Sequence, residues 1–230
     1  AIYSERCGIV NIGLEGMMVI GTWFGAWAGW FYGPWYGVLA GLLGGALFGL
    51  IHAVGTITFQ VDHIVSGVAI NILAAGVARF LSVVAYADVP AGGATQSPRV
   101  DERIEKISIP YLSGGKINES DTADVFGSLE ALDLFLISDL FGLLGGLTRN
   151  ISYFSILAIL LVPVSVWILW STSFGLQLRS VGEYPVGSES VGVNVYLMKY
   201  IGVTISGAFA GLAGAYLVIE SAGIYREGQT

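Results

Sequence analysis

The sequence predicts an all-α, polytopic transmembrane helix bundle, and three observations carry that prediction. The 230 residues are 54% hydrophobic and only 12% charged, where soluble domains carry roughly 25% charged residues. Several apolar runs reach the length of about 20 residues that crosses a bilayer. Those runs do not alternate polar and apolar residues as barrel strands do. Helices, which satisfy their own backbone groups in lipid, are therefore the expected form. About five full spans are expected, with one interfacial or re-entrant helix besides.

The first stretch, AIYSERCGIVNIGLEG, holds Asn11 and Glu15 four residues apart, a spacing that would put both on one face of a helix. Polar groups at membrane depth are costly and usually face a cavity or a partner, so the pair is a candidate for a solute route. The alternative is an acid at a helix start, in the headgroup layer. Met17–Phe31 reads as the first span. Gly21, Gly25, Gly29 and Gly33 recur every four residues, a small-residue face that lets another helix come close. Trp30, Phe31, Tyr32, Trp35 and Tyr36 then surround Gly33-Pro34, which reads as a turn at a membrane surface.

Tyr36–Ile57 is the second expected span, again rich in glycine, with His52 near its end as a packing or interface residue. Thr58–His63 is a short polar turn, and Ile64–Tyr86 the third span. Within it Asn71 is either a route residue or a helix–helix hydrogen bond, and Arg79 is expected to snorkel. Residues 87–150 form a long interruption that holds most of the acidic side chains. Inside it, Leu132–Leu147 is apolar but broken by Asp133, Asp139 and three glycines, which suits the interfacial helix. Ile151–Ser171 is the fourth span, bent by Pro163. Residues 172–196 are polar and punctuated by Gly175, Gly182, Pro185, Gly187 and Gly192, with a short helix expected between Pro185 and Tyr196. Leu197–Glu220 is the fifth span, with Gly202, Ser206, Gly207, Gly211 and Gly214 as a second packing face.

Composition and motifs also exclude functions. A net charge of −7 argues against a nucleic-acid partner. Cys7 is the single cysteine, so no disulfide forms within these residues. Two histidines without cysteine or carboxylate at metal-site spacing make no metal site. No P-loop, HExxH, CxxC or Gly-x-Ser-x-Gly pattern occurs, so neither catalytic residues nor a cofactor is expected.

Two motifs carry a family resemblance. The run Glu5-Arg6-x-Gly8-x-x-Asn11-Ile12-Gly13-x-Glu15-Gly16 is one. The other is Gly175-Leu-x-Leu-Arg179-x-Val-Gly182-Glu183-x-Pro185, followed by Gly192-Val-Asn-Val and Ser206-Gly-Ala-x-Ala-Gly-Leu-Ala-Gly-Ala. Together they resemble the permeases of ABC importers for branched-chain amino acids, simple sugars and nucleosides, the last two branches most. The resemblance implies that 172–196 is a cytoplasmic coupling loop docking on an ATP-binding subunit, through Arg179, Gly182, Glu183, Pro185, Glu189 and Gly192. Where the family has two alanines after the proline, this chain has Val186-Gly187. It implies that Ser66 and Asn71, with Asn11 and Glu15, line the solute route; Gly21, Gly25, Gly29, Gly207 and Gly211 are expected packing contacts from their spacing. It further implies a single permease domain, here incomplete at both ends, in the cell membrane. A second permease subunit and an extracytoplasmic solute-binding protein would be its other partners.

A cytoplasmic coupling loop makes residues 87–150 extracytoplasmic. The positive-inside rule points the other way, because that segment holds Arg99, Arg103, Lys106, Lys116 and Arg149, but the rule weakens for loops of about 60 residues. The rival functional reading is an ion-coupled secondary transporter, which would carry acids within broken helices. Asp and Glu are nearly absent from the middle of these spans.

Overall fold

A computed structural model describes residues 1–101, 103–108, 116–117, 120–121, 123–131, 138–139 and 151–229. Contacts divide the chain into two compact units, one of Ala1–Arg103 with Val164–Thr230 and one of Ile104–Pro163. The helices in chain order are α1 (Ile2–Arg6), α2 (Leu14–Tyr32), α3 (Pro34–Ala53), α4 (His63–Tyr86), α5 (Val125–Glu130) and α6 (Tyr153–Ser171). They continue with α7 (Ser173–Glu183), α8 (Pro185–Ser190) and α9 (Val195–Tyr216). Two of them end in π-helical turns, α3 over Val54–Thr58 and α9 over Leu217–Ala222.

Among the described residues four helical stretches are long and apolar enough to cross a membrane: Pro34–Thr58, His63–Tyr86, Tyr153–Ser171 and Val195–Ala222. The expected first span is present as the 19-residue α2. Its glycines and tryptophans lower its hydropathy, and it is not one of those four. Leu132–Leu147 lies outside the described residues except for 138–139.

Local chemistry explains where the elements start. Pro34 opens α3 and Pro185 opens α8, where a missing N–H costs nothing. Asp62 Oδ1 accepts from the N–H groups of Ile64 at 2.9 Å and Val65 at 3.1 Å. Thr172 Oγ1 accepts from Gly175 N–H at 3.2 Å, and Asn194 Oδ1 from Leu197 N–H at 3.0 Å. Each satisfies a donor that a helix start leaves free.

The centre of the first unit is a trio of helices, α2, α3 and α9, in mutual contact. They meet backbone to backbone. A Cβ added to Gly207 would stand 2.5 Å from the Gly45 carbonyl oxygen, and one on Gly211 2.7 Å from Gly45 Cα. One on Gly41 would stand 2.8 Å from the Gly21 carbonyl oxygen, and one on Gly214 2.7 Å from Thr22 N. Gly25 faces Ala215 Cα at 3.1 Å, whereas Gly29 has only ordinary contact, 3.5 Å from a Val100 methyl. At one end of the trio, residues 95–100 pair with 223–227. Ser97 N–H donates to the Tyr225 carbonyl at 3.0 Å and Val100 N–H to Gly223 at 2.7 Å. The first part of the long interruption is thereby joined to the main unit. In the second unit, Lys106–Ile107 pairs antiparallel with Ile151–Ser152.

Candidate functional site

Two groups of residues are candidates for function: the segment between α6 and α9, and a set of polar side chains inside the bundle.

The first segment is more ordered than the expected loop. Most of it is helix. In α7 the apolar positions Leu178 and Val181 are buried. Two glycines let this helix lie close to its neighbours. Gly175 packs on the carbonyls of Ile168 and Leu169, and Gly182 on the carbonyl of Arg6. Gly182 therefore serves an internal contact. Together with Gly192 it brackets the short helix α8, Pro185–Ser190. The short helix α8 ends at Ser190, earlier than the expected Tyr196. The chain turns at Gly192, whose φ of +86° is a conformation that side chains with a Cβ disfavour. Ser188 is buried and its hydroxyl donates to the Tyr184 carbonyl at 3.0 Å. Glu183, Tyr184, Val186, Glu189 and Val191 are exposed, so an acidic and apolar face points outward. Between α8 and the Phe59–His63 turn lies a cleft of about 280 Å³, lined by Gln60, His63, Pro185, Glu189, Tyr196 and Lys199 among others. Arg179 is only partly exposed and lies over the Trp170 ring.

The interior set is arranged differently from the expected helix face. Asn11 precedes α2, which begins at Leu14 with Gly13 as its cap. Asn11 and Glu15 therefore do not share a helical face. Asn11 is 6% exposed, and its amide nitrogen lies 3.5 Å from Ser206 Oγ and 3.4 Å from Met17 Sδ. Its Oδ1 is enclosed and has no hydrogen-bond partner among the described residues. Glu15 is exposed in the first helical turn, where an acid suits the positive end of the helix dipole.

Asn71 joins α4 to the start of α2. Its Oδ1 accepts from Gly16 N–H at 2.8 Å, and its Nδ2 donates to the Ile12 carbonyl at 3.3 Å. Gly16 is the third residue of α2, so a side chain from α4 completes the cap that Gly13 cannot supply. Ser66 is buried and lies 2.9 Å from His52 Nδ1. The Ser66–His52 pair links the consecutive helices α3 and α4, and the Asn11–Ser206 pair links segments 195 residues apart. No periodic pattern announces such partners; the one sequence signal was Ser206 standing alone among glycines on the α9 packing face. Thr58 and Tyr200 also meet, hydroxyl to hydroxyl. Cys7 is fully buried, donates to the Ser4 carbonyl at 3.0 Å, and has its thiol pushed up to about 11 by burial. Among the described residues no three His, Cys, Asp or Glu side chains gather as metal ligands would.

Comparison with known proteins now bears on these two groups. The model of the branched-chain amino acid transport system / permease component family matches residues 2–229. The chain belongs to this family. It is 41% identical over 220 residues to the guanosine ABC transporter permease protein NupQ of Bacillus subtilis, covering 93% of this chain and 59% of that one. It is 35% identical over 221 residues to the nucleoside ABC transporter permease protein NupC of Lactococcus lactis, covering 93% and 60%. The chain thus spans about 60% of the length of the curated relatives it matches. No solved structure matches it significantly. Membership of this family, with four helices able to span a bilayer, makes it a multi-pass membrane protein.

Proposed function

We propose that this chain is the membrane-spanning permease part of an ATP-driven ABC importer for nucleosides in the cell membrane. The observation that carries this is the likeness, over nearly all of its length, to relatives named as guanosine and nucleoside permeases. On this reading the permease performs no covalent chemistry. A separate ATP-binding subunit hydrolyses ATP, an extracytoplasmic binding protein delivers the solute, and a second permease subunit completes the pathway.

The mechanical contact with the ATP-binding subunit is assigned to α8 and its exposed neighbours, with Pro185 opening the short helix and Gly192 turning the chain back toward α9. Glu183 and Glu189 supply charge on the outward face, and the adjoining cleft provides a recess for a partner side chain. A push there acts on the start of α9 only a few residues away. Arg179 and Gly182 act indirectly on this reading, by holding α7 in place. Asn11 and Ser66 are assigned to the solute route, because buried polar groups in a membrane bundle are costly and are kept where a polar solute passes. Asn71 and Glu15 are assigned to the α2 start instead.

The test uses the full-length permease co-expressed with its ATP-binding subunit. Nucleoside-stimulated ATP hydrolysis in reconstituted vesicles is the expected result, and stimulation by amino acids alone would overturn the solute class. Glu189→Arg is expected to abolish the stimulation with the permease still assembled. Labelling of Ser120→Cys in intact cells checks the orientation; labelling only after lysis would reverse it.

A further inference from the structure

At the end of α6, two arginines converge on one indole. The guanidinium carbon of Arg6 lies 5.3 Å from the centre of the Trp170 ring, and that of Arg179 lies 5.5 Å from it. Both distances are within cation–π range. The convergence is built into the backbone. Gly175 seats one end of α7 on the carbonyls of Ile168 and Leu169, and Gly182 seats the other end on the carbonyl of Arg6. Arg179 stands between them, its Nε donating to the Gly175 carbonyl at 3.4 Å.

Neither guanidinium has a carboxylate within 4.0 Å among the described residues. Glu5 and Glu183, the acids nearest in sequence, are exposed and form no such pair. Among the described residues the one hydrogen bond made by either guanidinium is that of Arg179 to Gly175, which leaves most of their N–H donors unused there. Two cations held on one ring repel each other unless an anion lies between them. The chain as a whole carries −7, so this local excess of positive charge runs against its composition.

The surroundings name the anion. Trp167 is 62% exposed and Trp170 46% exposed, on the last turns of α6, and Leu176 is 62% exposed on the adjoining α7. Only 11% of the α6 span is buried. Indole rings at the end of an apolar helix mark the membrane–water boundary, where arginine reaches for headgroups. Guanidinium groups bind phosphate oxygens through paired hydrogen bonds. We propose that Arg6, Trp170 and Arg179 form a binding site for the phosphate of an anionic phospholipid, whose acyl chains lie along α6 past Trp167. This site is separate from the solute and from the outward face of α8.

The test measures bound lipid. The full-length permease complex is reconstituted with phosphatidylcholine and phosphatidylglycerol, extracted in mild detergent, and its retained lipids are measured by mass spectrometry. The wild type is expected to retain phosphatidylglycerol in preference. Arg6→Gln with Arg179→Gln is expected to lower that preference roughly tenfold, and the corresponding pair of lysines to restore most of it. Should the double variant not assemble, Arg6→Gln alone carries the test, since this exposed side chain makes no hydrogen bond among the described residues. Unchanged phosphatidylglycerol retention in the glutamine variant would overturn the proposal. Loss of the ATP-binding subunit with lipid retention unchanged would overturn it too, and would assign the arginines to an acidic protein surface.

Discussion

The spans of this molecule differ in burial in the order opposite to their apolarity. Half of the α3 and α9 spans is buried, against 22% of α4 and 11% of α6. Yet α6 is the most apolar of the four and α9 the least. In water the ranking would run the other way, because apolar surface is what burial removes from solvent. In lipid that drive between helices is gone, and close packing decides. The inner helices are those whose glycines leave room for another backbone. The outer ones carry branched side chains such as Ile72, Val84, Ile159 and Val162, all well exposed.

This comparison is broken or sharpened by substitution. The largest effect is expected at the trio. Gly211→Leu drives a side chain into the backbone of α3, and no monodisperse protein should be recovered after detergent extraction. Gly76→Leu on α4, where an added Cβ meets nothing within 4 Å, should give a wild-type yield and melting temperature. Equal outcomes for the two would end the distinction. Next comes Gly182→Trp. Its Cβ would run into the Arg6 carbonyl, so the permease itself should melt earlier. If only ATP hydrolysis fails and the melting temperature holds, Gly182 belongs to the docking surface after all.

A smaller effect is expected where α4 touches the trio through a hydrogen bond. Asn71→Leu removes the cap on Gly16 and should cost about 0.6 kcal/mol, near the mean for interhelical hydrogen bonds in membranes. A loss of transport without any stability change would return Asn71 to the solute route. The smallest is a non-event. With its thiol pushed up to about 11 and fully buried, Cys7 should resist maleimide at pH 8 and react only once the protein is unfolded. The raised value means that the folded state holds this proton more tightly. Its small contribution to stability is present below about pH 9 and is lost as the pH rises through about 11.

Much of this architecture was legible in the residues, and the reason is local chemistry. Apolar runs placed the spans within a few positions, because a bilayer demands length. Gly33-Pro34 and the Thr58–His63 stretch marked real breaks between helices. Of the glycines at four-residue spacing, Gly21 and Gly25 lie against the α9 backbone and Gly29 does not. What stayed hidden depends on partners distant in sequence. Asn11 was expected on a helix that begins three residues later, since the cap comes from Asn71 on another helix. The seat of Gly182 on the Arg6 carbonyl was hidden as well, because Arg6 lies near the other end of the chain. The ladder between 95–100 and 223–227 had no signature, being made by backbone groups and the one Ser97 hydroxyl.

The backbone contacts of the glycine trio have one more consequence. Side chains between packed helices act as a soft layer: they change rotamer and absorb part of any shear. Where Gly207 and Gly211 of α9 rest on Gly45 and Gly49 of α3, that layer is absent. The helices are splinted together, so a displacement applied to α9 would carry α3 with it. The seam that leaves no room for larger side chains would thus also bind the two helices into one moving part.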